Sequence, residues 1–128
     1  MWLARQAARA ERTDDGAARL CAVTIGGEEP AAVWGGERRG LTVVAPGGVA
    51  WLPRSGDEAL LIRCGDEDAV AGAAVAAPPG MQPGEVCVFS AGGASVLLCN
   101  DGKVKITGSV EISGTLRLNG AAVAVSGS

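Results

Sequence analysis

Cys21, Cys64, Cys87 and Cys99 are the side chains of this sequence best suited to hold a metal or act as nucleophiles. Neither chemistry fits their setting. They lie far apart, in "RLCAV", "LIRCG", "EVCVF" and "LLCND", with no C-x-x-C pair, and the chain has no histidine. A zinc site needs closely spaced thiolates or imidazoles. Their aliphatic neighbours predict buried, reduced thiols. The acid pairs Glu28–Glu29 and Asp57–Glu58 and the run "GDED" (65–68) are the other candidates, for acid–base work or calcium. Both pairs lie in turn-like stretches beside glycine or serine and read as solvated turn residues. "GDED" lacks the alternating ligands of a calcium loop. Trp34 and Trp51 are candidate stacking platforms, but core or interface burial is the expected use of both.

No catalytic residue, metal ligand or cofactor site is therefore expected, and no small-molecule substrate. Nucleic acid is an unsuitable partner too. The net charge is −3, residues 13–100 carry eleven acids against five bases, and aromatics make up 3% of the chain. Phosphate neutralisation and base stacking both need what is missing here. No stretch reaches the roughly 20 apolar residues of a membrane span. The start, "MWLARQAARAER", lacks the apolar centre of a signal peptide, which points to synthesis and folding in a cytoplasm.

The informative pattern is a repeat. In "DGKVKITGSVEISGTLRLNG" (101–120), glycine recurs at Gly102, Gly108, Gly114 and Gly120. Between the glycines stand Val104 and Ile106, then Val110 and Ile112, then Leu116 and Leu118. A hairpin meander at "TG", "SG" and "NG" would set Ile106 beside Ser109 and Ile112 beside Thr115. Apolar and polar side chains would then share both faces, which defeats burial. A path that keeps advancing in one sense returns each sixth residue to an equivalent place. That is β-helix logic, with glycine at every corner.

A single copy has too few repeats for such a coil. Two aliphatics bury at most roughly 3–6 kcal/mol per repeat, whereas ordering six residues costs about 9 kcal/mol. Three copies around one axis resolve the shortfall, with the six aliphatics inside and the ladder running between chains. "NGAAVA" (119–124) is a weak fourth repeat. Either Ala122 and Ala124, or Val123 and Val125, point inward there.

The elements that carry this rod follow from the rest of the chain. Residues 1–12 predict a short helix, with Arg5, Arg9 and Arg12 on one face and Trp2 and Leu3 on the other. It is either a solvated arm or a docking arm. Residues 13–77 show short apolar runs at 18–25, 31–34, 41–44, 49–52, 59–63 and 70–75. Turn signals such as "GGEEP", "GGERRG", "PRSGDE" and "GDED" separate them. A small closed or half-closed barrel of the OB type fits, with a small sandwich as competitor. "PPGMQPG" (78–84) is a stiff connector. Residues 85–128 form the spike, opening with strands near 85–90 and 94–100.

With arm, barrel, "PGEVCVFSAGGASVLLCNDGKVKITG" and glycine-punctuated repeats in this order, the chain resembles the phage baseplate assembly protein V and Mu-type central spike family of contractile tails. The likeness is most specific over 83–120. The resemblance implies an all-β fold: an OB-like barrel followed by an intertwined trimeric β-helix rod, behind a short N-terminal helix. It implies a homotrimeric virion structural protein of the tail baseplate, assembled in the host cytoplasm. The barrel would dock on a baseplate hub protein, with Trp2, Leu3, Arg5 and Arg9 as a hub-docking arm, and contraction would drive the rod through the target envelope. Many members hold an iron ion at the tip with a His-x-His motif. That site cannot exist in a chain without histidine, so the end is blunt or capped by a separate spike-tip protein. The rod is short and carries no lysozyme-like segment. The alternative is an OB-type binding or adaptor module in another trimeric assembly, such as an injection system.

Overall fold

The computed structural model describes residues 16–124, and over these the chain is all-β. The expected arm, with Trp2, Leu3, Arg5 and Arg9, lies outside the described residues, as does Val125. The chain divides into two compact units, Met1–Ala76 and Ala77–Ser128.

The first unit joins β1 (Ala18–Ile25), β2 (Ala31–Val33), β3 (Glu37–Arg38), β4 (Thr42–Val43), β5 (Glu58–Cys64) and β6 (Glu67–Ala73) in one six-stranded sheet, ordered β3-β2-β1-β5-β6-β4 and curled into a half-barrel. Its spine is β1, whose partners are β5 and β2, both antiparallel. The register between β1 and β2 shifts between Val23 and Ile25, and such an irregularity sharpens the local twist. β6 lies antiparallel to β5. β3 borders β2, and β4 runs parallel to β6.

Alternation sets the core. Cys21 and Val23 on β1 meet Ala59 and Leu61 on β5 and Val70 on β6, and Ala32, Trp34 and Leu41 join the same cluster. Leu61 and Val70 are fully buried. Trp51 packs against the cluster while remaining partly exposed. Small aliphatics do most of the filling, so close backbone approach is part of the design. Gly26 is the clearest instance: a Cβ there would lie 2.6 Å from the Pro53 carbonyl oxygen. The neighbouring Gly27 N–H donates to that same oxygen at 2.9 Å, which holds the two backbones together. Gly26→Ala is therefore expected to cost about 1–3 kcal/mol, as overpacking does, measurable as a lowered urea midpoint at unchanged slope.

Several expectations for this unit need correcting. Residues 49–52 form no strand. The Val49 N–H closes a turn onto the Pro46 carbonyl at 2.9 Å, and Val49 and Leu52 stay exposed. "GGERRG" is not merely a breaker, because Glu37 and Arg38 within it form β3. "GDED" is only half a turn: Gly65 and Asp66 turn the chain, while Glu67 and Asp68 already belong to β6. Of the four thiols, only Cys21 is buried. Cys64 is exposed at the β5 end, Cys87 and Cys99 are half-buried, and all are free. Aliphatic neighbours in sequence do not secure burial where the strand lies on an open surface.

The second unit holds a three-stranded antiparallel sheet, β7-β8-β9, with β7 Val86–Phe89, β8 Ser95–Leu98 and β9 Val104–Thr107. It also holds a short hairpin of β10 (Arg117–Leu118) and β11 (Ala121–Ala122). Between them, residues 108–116 form no strand. The expectation that no hairpin forms at the repeat glycines thus fails at "NG". Asn119 (φ 50°) and Gly120 (φ 82°) make a tight turn of left-handed residues, the geometry that suits a two-residue hairpin. Facing explains the exception. Leu118 lies opposite Ala121, and the Val123 N–H donates to the Leu116 carbonyl at 2.7 Å. Apolar residues therefore share one face here, as they would not at "TG" or "SG".

Candidate functional site

In an antiparallel sheet, residues directly opposite one another point to the same side. Val86 pairs with Leu98 and Leu98 with Val104; Val88 pairs with Val96 and Val96 with Ile106. Six aliphatics, two from each strand, therefore make one uninterrupted face. The reverse face carries Cys87, Leu97 and Lys105 across one row and Phe89, Ser95 and Thr107 across the next. Strand alternation produces this sorting: "VCVF", "SVLL" and "VKIT" each place two aliphatics in one phase, and only Leu97 of "SVLL" falls on the reverse face.

Nothing among the described residues covers the aliphatic face. Its members are between 38% (Val96) and 68% (Val88) exposed. The pattern continues along the repeats, where Val110, Ile112, Leu116 and Leu118 are exposed as well. No described residue from Ala77 onward is buried, and every one from Asp101 to Ala124 is exposed. The expected rod-interior residues Val104 and Ile106 thus sit on β9, Leu118 on β10 and Leu116 beside it, while Val110 and Ile112 lie in the strandless stretch. The glycines expected at the corners take left-handed backbone: Gly102 (φ 90°), Gly108 (φ 123°), Gly114 (φ 132°) and Gly120 (φ 82°). At Gly114 a side chain would be strained by the backbone alone, since L residues scarcely enter that region. For the fourth repeat, the hairpin aligns Leu116, Leu118, Ala121 and Val123, so Val123 shares their face and Ala122 does not.

A polar clasp fixes the start of this sheet. Glu85 Oε1 accepts the Gln82 N–H and Oε2 accepts the Asn100 N–H, each at 2.9 Å, and Asn100 Nδ2 donates to the Pro83 carbonyl at 2.9 Å. These bonds tie the connector to the β8–β9 turn. The Gln82 and Asn100 backbone bonds hold the Glu85 carboxyl below its usual range. A carboxyl depressed in the folded state stabilises it above the unfolded value of about 4.3 and loses that effect as pH falls through the folded value. Glu85→Gln is therefore expected to unfold at lower urea than the parent at pH 7, and the gap is expected to narrow as pH falls below the unfolded value of about 4.3. Glu37, held low first by Thr24 and then by Arg39, titrates in both proteins, so the comparison isolates Glu85.

The first unit offers one polar cluster that local sequence reasoning missed. Asp68 pairs with Arg38 and, at 3.8 Å, with Arg63. Both guanidiniums lie over the Trp34 ring, at 4.9 and 5.7 Å from its centroid, and Arg38 Nε donates to the Trp34 carbonyl at 2.9 Å. Trp34 itself is 3% exposed. A ring so covered offers no platform for a base or a sugar, so the cluster closes the core. The nearby Cys21 thiol is pushed up, chiefly by burial, which makes it a poor nucleophile. The acid of the cluster, Asp68, belongs to "GDED", which reads as a turn signal in sequence; its side chain is only 13% exposed. The signal that would have found it is an arginine pair needing a shared carboxylate across strands distant in sequence.

Comparison with protein-family models finds no match to this chain, and comparison with curated proteins finds none either.

Proposed function

We propose that this chain is the central spike of a contractile phage tail baseplate or a phage-like injection system. In that reading it is a homotrimer. The aliphatic face over Val86–Ile106, together with Val110, Ile112, Leu116 and Leu118, forms the shared interior of a slim β-helical rod. The half-barrel unit and the N-terminal arm dock on a hub protein, a separate tip protein is free to cap the end, and the envelope is contacted only during contraction. The work is transmission of force, with no bond chemistry and no cofactor.

One observation carries the reading: the second unit has an uninterrupted aliphatic face on its sheet, further exposed aliphatics along the repeats and, among the described residues, no core of its own. Ordering a chain costs about 1.5 kcal/mol per residue, and here no residue described from Ala77 onward is buried within one copy to offset it. Symmetric copies supply that area most simply. The repeat of glycine corners and paired aliphatics favours a rod over a compact oligomer. Binding of an oligonucleotide or sugar by the half-barrel is the weaker reading, because Trp34 is buried under arginine.

Purified tail particles that contain this chain test the assignment. Quantitative mass spectrometry is expected to count three copies per particle, and gold-labelled antibody to mark the baseplate end. A trimer found in some other assembly would leave the symmetry intact and move the function to an adaptor.

A further inference from the structure

The sheet of the second unit has two open edges. β8 lies between β7 and β9, so each outer strand spends its hydrogen bonds on one side only among the described residues. Neither edge is defended in the ways that keep soluble proteins apart. "VCVF" has no charge and no proline, and "VKIT" has a single lysine, on the face opposite the aliphatics. An undefended edge bordering an uncovered apolar face calls for a partner that covers both together.

We infer that β9 of one copy pairs in parallel with β7 of the next, so that three sheets close into one ring around their aliphatic faces. The inference rests on the trimer reading and names the seam that builds it. Direction decides the pairing. β7 and β9 are each antiparallel to β8, so they run the same way. Rotation about an axis along the strands brings β9 of one copy beside β7 of its neighbour, both pointing alike. Every edge then finds a partner, and Val86 and Val88 of one copy come next to Val104 and Ile106 of the next on the inner side. A two-fold axis across the strands would instead pair β9 with β9, antiparallel, and leave both β7 edges open.

A native thiol makes this testable. Cys87 lies on β7, on the outer face, and both Cys87 and Lys105 are opposite Leu97. Within one copy they are therefore two strands apart, about 9.6 Å between Cα atoms. That exceeds the roughly 4.4–6.8 Å that a disulfide spans. Any bond from Cys87 to a cysteine on β9 must join two copies. The full chain would carry Cys64→Ser and Cys99→Ser, with Lys105→Cys or Thr107→Cys added to cover either register, and copper phenanthroline as oxidant. Light scattering of each variant fixes its state beforehand.

On a non-reducing denaturing gel, at least one variant is expected to move most of the chain to the mass of three copies. The same variant with Cys87→Ser is expected to stay at one. A trimer by light scattering that cross-links at neither position overturns the seam and leaves the spike reading standing. A cross-link surviving Cys87→Ser also overturns it, because β9 would then meet β9. A ladder beyond three copies overturns ring closure. A monomer by light scattering before oxidation overturns the trimer reading and the seam with it.

Discussion

Ile106→Asp is expected to turn the trimer into monomers at micromolar concentration. Ile106 lies in the middle of β9, on the aliphatic face, opposite Val96. A monomer leaves this side chain 58% exposed, so the substitution costs little in a single copy. Association would bring three carboxylates onto a dry axis with no partner to pair or hydrogen-bond them. Burying a polar group without a partner costs at least about 2 kcal/mol. Over three copies that approaches 6 kcal/mol, or roughly 10⁴-fold in the association constant. Size-exclusion chromatography with light scattering reads the change. Lys105→Asp is the control: Lys105 is on the reverse face, and its replacement is expected to leave the oligomer in place.

Leu61→Ala is expected to have the largest effect on the half-barrel. Leu61 is fully buried on β5, between Arg19 on β1 and Val70 on β6 in register. Truncating a leucine at such a site typically costs about 2–5 kcal/mol, from lost transfer energy and the cavity left behind. For a unit of this size each kcal/mol moves the midpoint by roughly 4–8 °C. Calorimetry is therefore expected to show the half-barrel transition falling by more than about 8 °C. A shift of under about 2 °C would mean that the site relaxes around the cavity or that Leu61 is not core. Leu60→Ala, next along the strand and only half-buried, is expected to do much less.

Elements with strong alternation were legible from sequence. "ARLCAVTI" yields the bounds of β1, and the runs near 85–90 and 94–100 contain β7 and β8. The strands that escaped were short and polar. Glu37–Arg38 and the start of β6 look like turns because their stability comes from partners distant in sequence, such as Asp68 for Arg38. Val49–Leu52 erred the other way: its apolar residues resemble a strand, but a turn closed by Pro46 claims the backbone first. The aliphatic face was legible as a repeat from Val104 onward. Its extension back onto β7 and β8 was not, because "VCVF" and "SVLL" lack the glycine rhythm and join the pattern only through register.

The central claim is that the aliphatic face of the second unit is an interior that several copies share. Sedimentation equilibrium of the intact chain, at micromolar concentration, tests it most directly. A single species of three times the 12.7 kDa chain mass, unchanged on dilution, is expected. A single species at 12.7 kDa would contradict it.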